Sequence, residues 1–218
     1  MVSNELLRSE RESISEHCKR MLDQGLTTGT GGNISVSDDE GRMAISPSGM
    51  AYPDIMPDDV PVLDADGEVV LGDRTPSSEH RMHRMLHEGR ADVGGVVHTH
   101  SPYASAFASA GEAIPPTHYL VEFVGKQVPV AGYATYGTEE LGELAAETIG
   151  EEYSACLLQN HGSIAVGETV EGAFETVLMV EFCARNHYLA ANLGDPIALP
   201  DDELEHLVER FADYGQSG

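Results

Sequence analysis

The apolar positions divide the chain into helical and extended stretches. Leu6, Leu7, Ile14, Cys18, Met21 and Leu22 fall on one helical face, with Ser3 where a cap would stand and Gly25 where the helix should stop. Residues 26 to 76 lose that rhythm and carry short runs, NISVS, RMAIS and EVVLG, with Asp-Glu-Gly and Asp-Ala-Asp-Gly as turns. A helix is predicted over residues 79 to 89, with Met82, Met85 and Leu86 inward. Val93, Val96 and Val97 predict a buried strand running into His98-Thr99-His100, after which Ser101-Pro102 caps a short helix ending at Ala110. The helical period returns over 139 to 149, and SACLLQ and SIAVG predict a strand pair around Asn160-His161-Gly162. A long helix over 170 to 192 follows, and then one over 201 to 213 with Leu204, Leu207, Val208 and Phe211. No linker, repeat or low-complexity segment interrupts this order, so residues 1–218 read as a single domain. Strands that come in runs predict an α/β domain around a mostly antiparallel sheet.

Charge changes the picture of the surface. The 218 residues include 37 Asp and Glu against 12 Lys and Arg, a net charge of −25, and only Lys19 and Lys126 are lysines. Nucleic acid is excluded as a partner, because neutralising phosphates needs a cationic surface. The acids are interleaved with regular apolar patterns, so they read as a solvated shell on a folded core, of the kind that high salt screens. No apolar run reaches the length of a membrane span. MVSNELLRSERES lacks the basic head and apolar stretch of a secretory signal. Cys18, Cys156 and Cys183 lie far apart in apolar patterns and are expected as buried free thiols, which together with the N-terminus makes the cytoplasm the expected location.

Among the ten histidines, His98 and His100 are singled out by spacing. Residues i and i+2 of a strand share a face, so the two imidazoles would project side by side. Two ligands do not make a metal site, and a pair of structural histidines is the other reading. His161, in its turn, is either a residue tolerating an unusual backbone or a third ligand that would leave a tetrahedral cation one open position. The remaining histidines are expected mostly on exposed helical faces. Three segments look suited to an anion: TGTGGNISVS with Gly32 and Asn33, SPSGM with Ser48 and Gly49, and TPSSEHRMH with Ser77 and Ser78 at a helix start. Each alone also reads as an ordinary turn, and none is a dinucleotide fingerprint or a P-loop. Glu79 follows the serine pair directly. It is either a first-turn acid complementing the helix dipole or a base set between an anion and a metal.

Taken in order, GTGGNISVS, ISPSGMAY, TPSSEHRMH, GGVVHTHSPYA, IPPTHYL, GYATYGTEELG, LLQNHGSIAVG and FADYG run along nearly the whole chain. On these motifs the chain resembles the zinc-dependent class II aldolases of the fuculose-1-phosphate aldolase type, within the aldolase–adducin superfamily. The resemblance implies an α/β/α domain, a homotetramer with active sites between subunits, and a sugar-phosphate substrate. It implies His98, His100 and His161 as Zn2+ ligands, with Glu79 as catalytic acid/base that also touches the metal. It places the substrate phosphate on Gly32, Asn33, Ser48, Gly49, Ser77 and Ser78. Tyr119 would come from a neighbouring subunit, and Tyr214 would belong to a mobile tail. The implied reaction is reversible cleavage of a ketose 1-phosphate to dihydroxyacetone phosphate and a small aldehyde through a zinc-stabilised enediolate. Manganese, cobalt or iron would also suit imidazole ligands. Ribulose-5-phosphate 4-epimerases share the metal and phosphate motifs but tend to carry Asp in place of Glu79 and another Asp after Thr-His. Tyr119-Leu120 therefore favours the aldolase, and the complete histidine set disfavours a non-catalytic adducin-like module.

Overall fold

Alternation of apolar side chains along three central strands builds two cores, one on each side of a sheet. The computed structural model describes residues 5–212. Ser3 and Tyr214 lie outside the described residues, as do the side chains of Val208 and Phe211. The elements are α1 (Arg8–Asp23), β1 (Asn33–Ser37), β2 (Met43–Ile45), β3 (Val62–Leu63), β4 (Val69–Leu71), α2 (His80–Gly89) and β5 (Gly95–Thr99). They continue as α3 (Pro102–Ala110), β6 (Val130–Ala131), α4 (Glu139–Ile149), β7 (Ala155–Leu158), β8 (Gly162–Gly167), α5 (Val170–Ala191) and α6 (Asp201–Ala212). Short 3-10 turns occupy Tyr52–Asp54, Pro57–Asp59 and Tyr119–Phe123.

The strands form one sheet in the order β4-β3-β2-β1-β5-β8-β7-β6. Every pairing is antiparallel except β6 with β7. That exception follows from connectivity, because α4 supplies the crossover a parallel pair requires. The sheet is thus mixed, with a single parallel edge on the mostly antiparallel arrangement expected. Val96, Cys156, Leu158, Ile164 and Val166 pack with Met82 and Leu86 of α2 and Leu141, Ala145 and Ile149 of α4. Their strand neighbours Val97, Ala155, Leu157 and Ala165 face the other way, onto Ile14, Cys18 and Met21 of α1 and Phe174, Val177 and Val180 of α5. The result is an α/β/α sandwich. All three cysteines are buried and free.

Several local expectations shift. Helix α1 begins at Arg8, after Leu7 in a left-handed conformation (φ 48°), so Leu6 and Leu7 precede the helix. Ser101 stands at the N-cap of α3, but its hydroxyl caps nothing. The Glu181 carboxylate from α5 accepts the Tyr103 and Ala104 amides instead, at 2.9 to 3.1 Å. A carboxylate satisfies orphan amides more strongly than a hydroxyl. Helix α2 starts one residue later than predicted, leaving Glu79 at its N-cap.

No helix among the described residues is long and apolar enough to cross a membrane. Phe174 is fully buried between α1 and the sheet. Phe174→Ala should therefore cost about 3–5 kcal/mol in chemical denaturation. The net charge of −25 predicts that stability rises with screening. Raising KCl from about 0.1 to about 2 M should raise Tm in calorimetry, whereas a fall would show that attractive ion pairs outweigh the net repulsion.

Candidate active site

Strand register brings the chemical residues to one end of the sheet. Asn33 at the start of β1 pairs with His98 of β5, and His98 pairs with Ile164 of β8. His98 shares the face of Val96, toward α2. His100 follows one residue beyond the strand, and His161 ends the short turn joining β7 to β8. It is Asn160, not His161, that takes the left-handed conformation of that turn (φ 56°). Two glycines permit the close approach. A Cβ on Gly162 would lie 2.3 Å from the Thr99 carbonyl oxygen, and one on Gly32 (φ 82°) would lie 2.5 Å from that of His98.

The three imidazoles converge. Ring centroids are 4.8 Å apart for His98–His100, 4.7 Å for His98–His161 and 5.1 Å for His100–His161. One ligand atom from each lies within 4.8 Å of the others. Nδ1 of His98 donates to the Ser163 carbonyl at 2.9 Å, which leaves the lone pair on Nε2. That nitrogen lies 3.0 Å from Nε2 of His100. Burial pulls the His98 pKa down to about 4 despite the opposing Glu79 charge, and burial followed by His161 lowers that of His100. Neutral imidazoles with lone pairs turned on one point are the form a divalent cation binds.

Glu79 closes this group. Oε2 is 3.3 Å from His98 Nε2, and Oε1 is 3.5 Å from His161 Nε2. Oε1 is buried and accepts no hydrogen bond, as expected of an oxygen awaiting a cation or a proton. Burial works to raise the Glu79 pKa. His98, the Asn33 amide donated at 2.8 Å, His161 and His100 outweigh it, and the net shift is downward. The residues present therefore fit a divalent cation.

Beside the histidines lies a pocket of about 260 Å³, lined by Thr30, Gly31, Gly32, Asn33, Pro47, Ser48, Gly49, Ser77, Ser78, Glu79, His100, Tyr136 and His161. The two serine segments are tied together, since Ser48 N donates to Thr75 O at 2.9 Å and Ser77 N to Ser46 O at 3.1 Å. The Tyr52 hydroxyl, 2.6 and 2.7 Å from the Gly31 and Gly32 carbonyl oxygens, pins the glycine loop. No Lys or Arg lines the pocket, so an anion there would meet hydroxyls, amides and the end of α2. A larger cleft of about 670 Å³ has Arg84 and His87 on its wall, but the six carboxylates of Asp38, Asp39, Asp64, Glu88, Asp92 and Glu168 that border it outnumber them and disfavour an anion.

Every residue singled out in the sequence for the metal and the phosphate thus meets at one place. Tyr119 does not join them within the chain. It is 48% exposed on its 3-10 turn and stacks on His118 at 4.8 Å. Tyr214 lies outside the described residues. Of the seven other histidines, expected mostly on exposed helical faces, only His206 is exposed; His17 and His83 are buried, and His80, His87, His118 and His187 are half-buried. His17 is buried against Phe174 and its Nε2 lies 2.7 Å from Glu171 Oε2. His83 is fully buried and hydrogen-bonds Asn33, and His87 contacts Ser35 and Ser37. These two share the inward face of α2 with Met82 and Leu86, and period-2 serines on β1 supply their partners. Tyr136 and Thr30 were also missed, since neither has a spacing that marks it.

The profile of the Class II Aldolase and Adducin N-terminal domain matches residues 12–188. A 5-deoxy-D-ribulose 1-phosphate aldolase of Bacillus thuringiensis is 45% identical over 212 residues, covering 97% of this chain and 99% of its own. An L-fuculose phosphate aldolase of Escherichia coli is 35% identical over 217 residues, covering 99% and 98%. A solved structure of an L-fuculose 1-phosphate aldolase superposes with a TM-score of 0.91 at 41% identity, covering 97% of this chain and 98% of that one. Motif order, histidine geometry and these likenesses agree: the chain belongs to the class II aldolase and adducin family.

Proposed function

We propose that the protein is a divalent-metal-dependent aldolase that reversibly cleaves a ketose 1-phosphate to dihydroxyacetone phosphate and a small aldehyde. The observation that carries this is the orphaned Glu79 oxygen, set against three converging imidazoles and opening on a pocket of neutral anion donors. A ketose 1-phosphate of the 5-deoxyribulose type is the favoured substrate, on the 45% identity to the Bacillus enzyme. Fuculose 1-phosphate is the comparison. The first would release acetaldehyde and the second lactaldehyde, because the bond broken is C3–C4 in both.

The chain's own residues have distinct tasks. Gly32, Asn33, Ser48, Gly49, Ser77 and Ser78 hold the phosphate and so fix C3 near Glu79. His98, His100 and His161 would hold the cation, with Zn2+ the first choice, and Glu79 would be a further ligand in the absence of substrate. When bound, that cation supplies Lewis-acid polarisation of the substrate's carbonyl and hydroxyl oxygens. In synthesis Glu79 takes a proton from the hydroxymethyl carbon of dihydroxyacetone phosphate. The carbon then adds to the aldehyde, and Tyr119 of a neighbouring subunit protonates the new alkoxide. In cleavage the C4 hydroxyl loses its proton, the C3–C4 electron pair stays on C3, and Glu79 returns a proton there. Tyr119 lies away from the pocket of its own chain, which fits a homotetramer with sites between subunits. Tyr214 would close the site from the tail. Buried free thiols fit a cytoplasmic enzyme built as one domain over residues 1–218.

Two outcomes are expected in molar salt, with dihydroxyacetone phosphate release as the readout. Both sugars should be cleaved, 5-deoxyribulose 1-phosphate faster, and Glu79→Gln should lower kcat by about 10²–10⁴-fold. Release of neither sugar's aldehyde, together with 4-epimerisation of ribulose 5-phosphate, would sink the proposal. Chelation should abolish cleavage and re-addition of Zn2+ restore it. His98→Ala should lose bound metal by elemental analysis, and a variant that retained full metal would remove His98 from the ligand set.

A further inference from the structure

The N-terminal end of α2 and the strand beside it present two matched polar series. Glu79, His83 and His87 recur every four residues, while Asn33, Ser35 and Ser37 recur every two on β1. Four helical residues rise about 6 Å and two strand residues about 6.6 Å, so the series stay in step. The contacts form an unbroken chain. Asn33 Nδ2 donates to Glu79 Oε2 at 2.8 Å, and Asn33 Oδ1 faces His83 Nε2 at 2.5 Å. His83 Nδ1 lies 2.7 Å from Ser35 Oγ, Ser35 Oγ 2.8 Å from His87 Nε2, and His87 Nδ1 2.9 Å from Ser37 Oγ.

Donor counting gives this chain one direction. An ionised carboxylate only accepts, so the Asn33 amide must turn its NH2 toward Glu79 and its oxygen toward His83. His83 Nε2 must then carry the proton, and its Nδ1 must accept from the Ser35 hydroxyl. Ser35 has no second proton, so His87 Nε2–H donates to it. The opposite neutral tautomer of His87, served by the Val93 carbonyl 3.1 Å from Nδ1, would leave two imidazole lone pairs competing for one hydroxyl proton. Turning the amide over would reverse the bonds behind it and set Asn33 Oδ1 against the Glu79 carboxylate. An amide does not pass protons without becoming an imidic acid, so the chain orients and does not conduct.

Building on the aldolase reading above, we infer that His83 is a positioning residue for the reaction: from a fully buried place outside the pocket, it fixes the Asn33 amide so that one N–H holds Glu79 and the other remains for the substrate phosphate. His83 touches neither substrate nor metal in this role. Ser35 and His87 set its tautomer from behind.

Two measurements test this. Nitrogen-15 histidine NMR on the metal-loaded protein reads the tautomer without any substrate, and neutral His83 protonated at Nε2 is expected. An Nδ1–H form or an imidazolium would overturn the inference whatever the protein's activity. Deuterium exchange into the hydroxymethyl carbon of dihydroxyacetone phosphate, without aldehyde, isolates the Glu79 step. At equal metal content His83→Leu should slow it about 10- to 100-fold. His83→Gln, whose amide nitrogen takes the place of Nε2, should restore most of the rate, and His83→Asn, which replaces only Nδ1, should not. A purely packing role predicts no difference between Gln and Asn, and that result would overturn the inference. If His83→Leu fails to fold, Ser35→Ala, which removes the proton that sets the tautomer, should still slow exchange, and an unchanged rate would count against the inference. A wild-type protein that exchanges no deuterium would defeat the aldolase reading, and the tautomer would still decide the ladder.

Discussion

The site depends on the register of three antiparallel strands. Pairing Asn33 with His98 and His98 with Ile164 sets the ends of β1, β5 and β8 side by side. A slip of one residue would send His98 into the opposite core with Val97 and turn Asn33 away from Glu79. The register is secured by the two apolar faces, since Val96 and Val97 belong to different cores and neither can be exposed without a large loss of burial. The same packing that stabilises the sandwich therefore aims the imidazoles at one point. Gly32 and Gly162 complete the arrangement by removing the side chains that would hold neighbouring backbone apart.

A second constraint is electrostatic. A chain with a net charge of −25 repels an anionic ligand at long range, and its pocket offers no Lys or Arg in return. Recognition of such a ligand would then rest on short-range donors that are already in place. Serine hydroxyls, loop amides and the Asn33 side chain are such donors, and the backbone pairing of residues 46–48 with 75–77 fixes them before any ligand arrives. High ionic strength would lessen the repulsion while leaving these contacts nearly intact, since screening acts over a Debye length and not at hydrogen-bond distance.

One flank of α2 carries a connected set of buried polar groups. His83, Ser35, Asn33 and Glu79 are all buried there, beside the apolar Met82 and Leu86 of the same helix. Such groups are tolerable only when each finds a partner, and the ladder supplies one at every step except Oε1 of Glu79. That single exception falls where the converging imidazoles stand. Within this ladder the one unpartnered atom is thus the carboxylate oxygen that faces the histidines.

The sequence by itself determined most of the helices and strands, and the side-by-side projection of His98 and His100, because these follow from local periodicity; the short strands β3 and β6 and the division of Val96 from Val97 between two cores came from the structure. It also marked the glycine and serine segments and Glu79 as candidates, through motif order. Only the tertiary structure decided that His161 meets the other two histidines, that the serine segments pair across a stretch of about thirty residues, and that Tyr119 stays outside its own chain's pocket. The histidines of α2 show the limit most clearly. The spacing of 79, 83 and 87 and that of 33, 35 and 37 were both present in the chain, yet each reads as a solvated polar face when taken alone. Their meaning comes from packing one against the other, and which faces pack is settled by long-range burial that no local pattern contains.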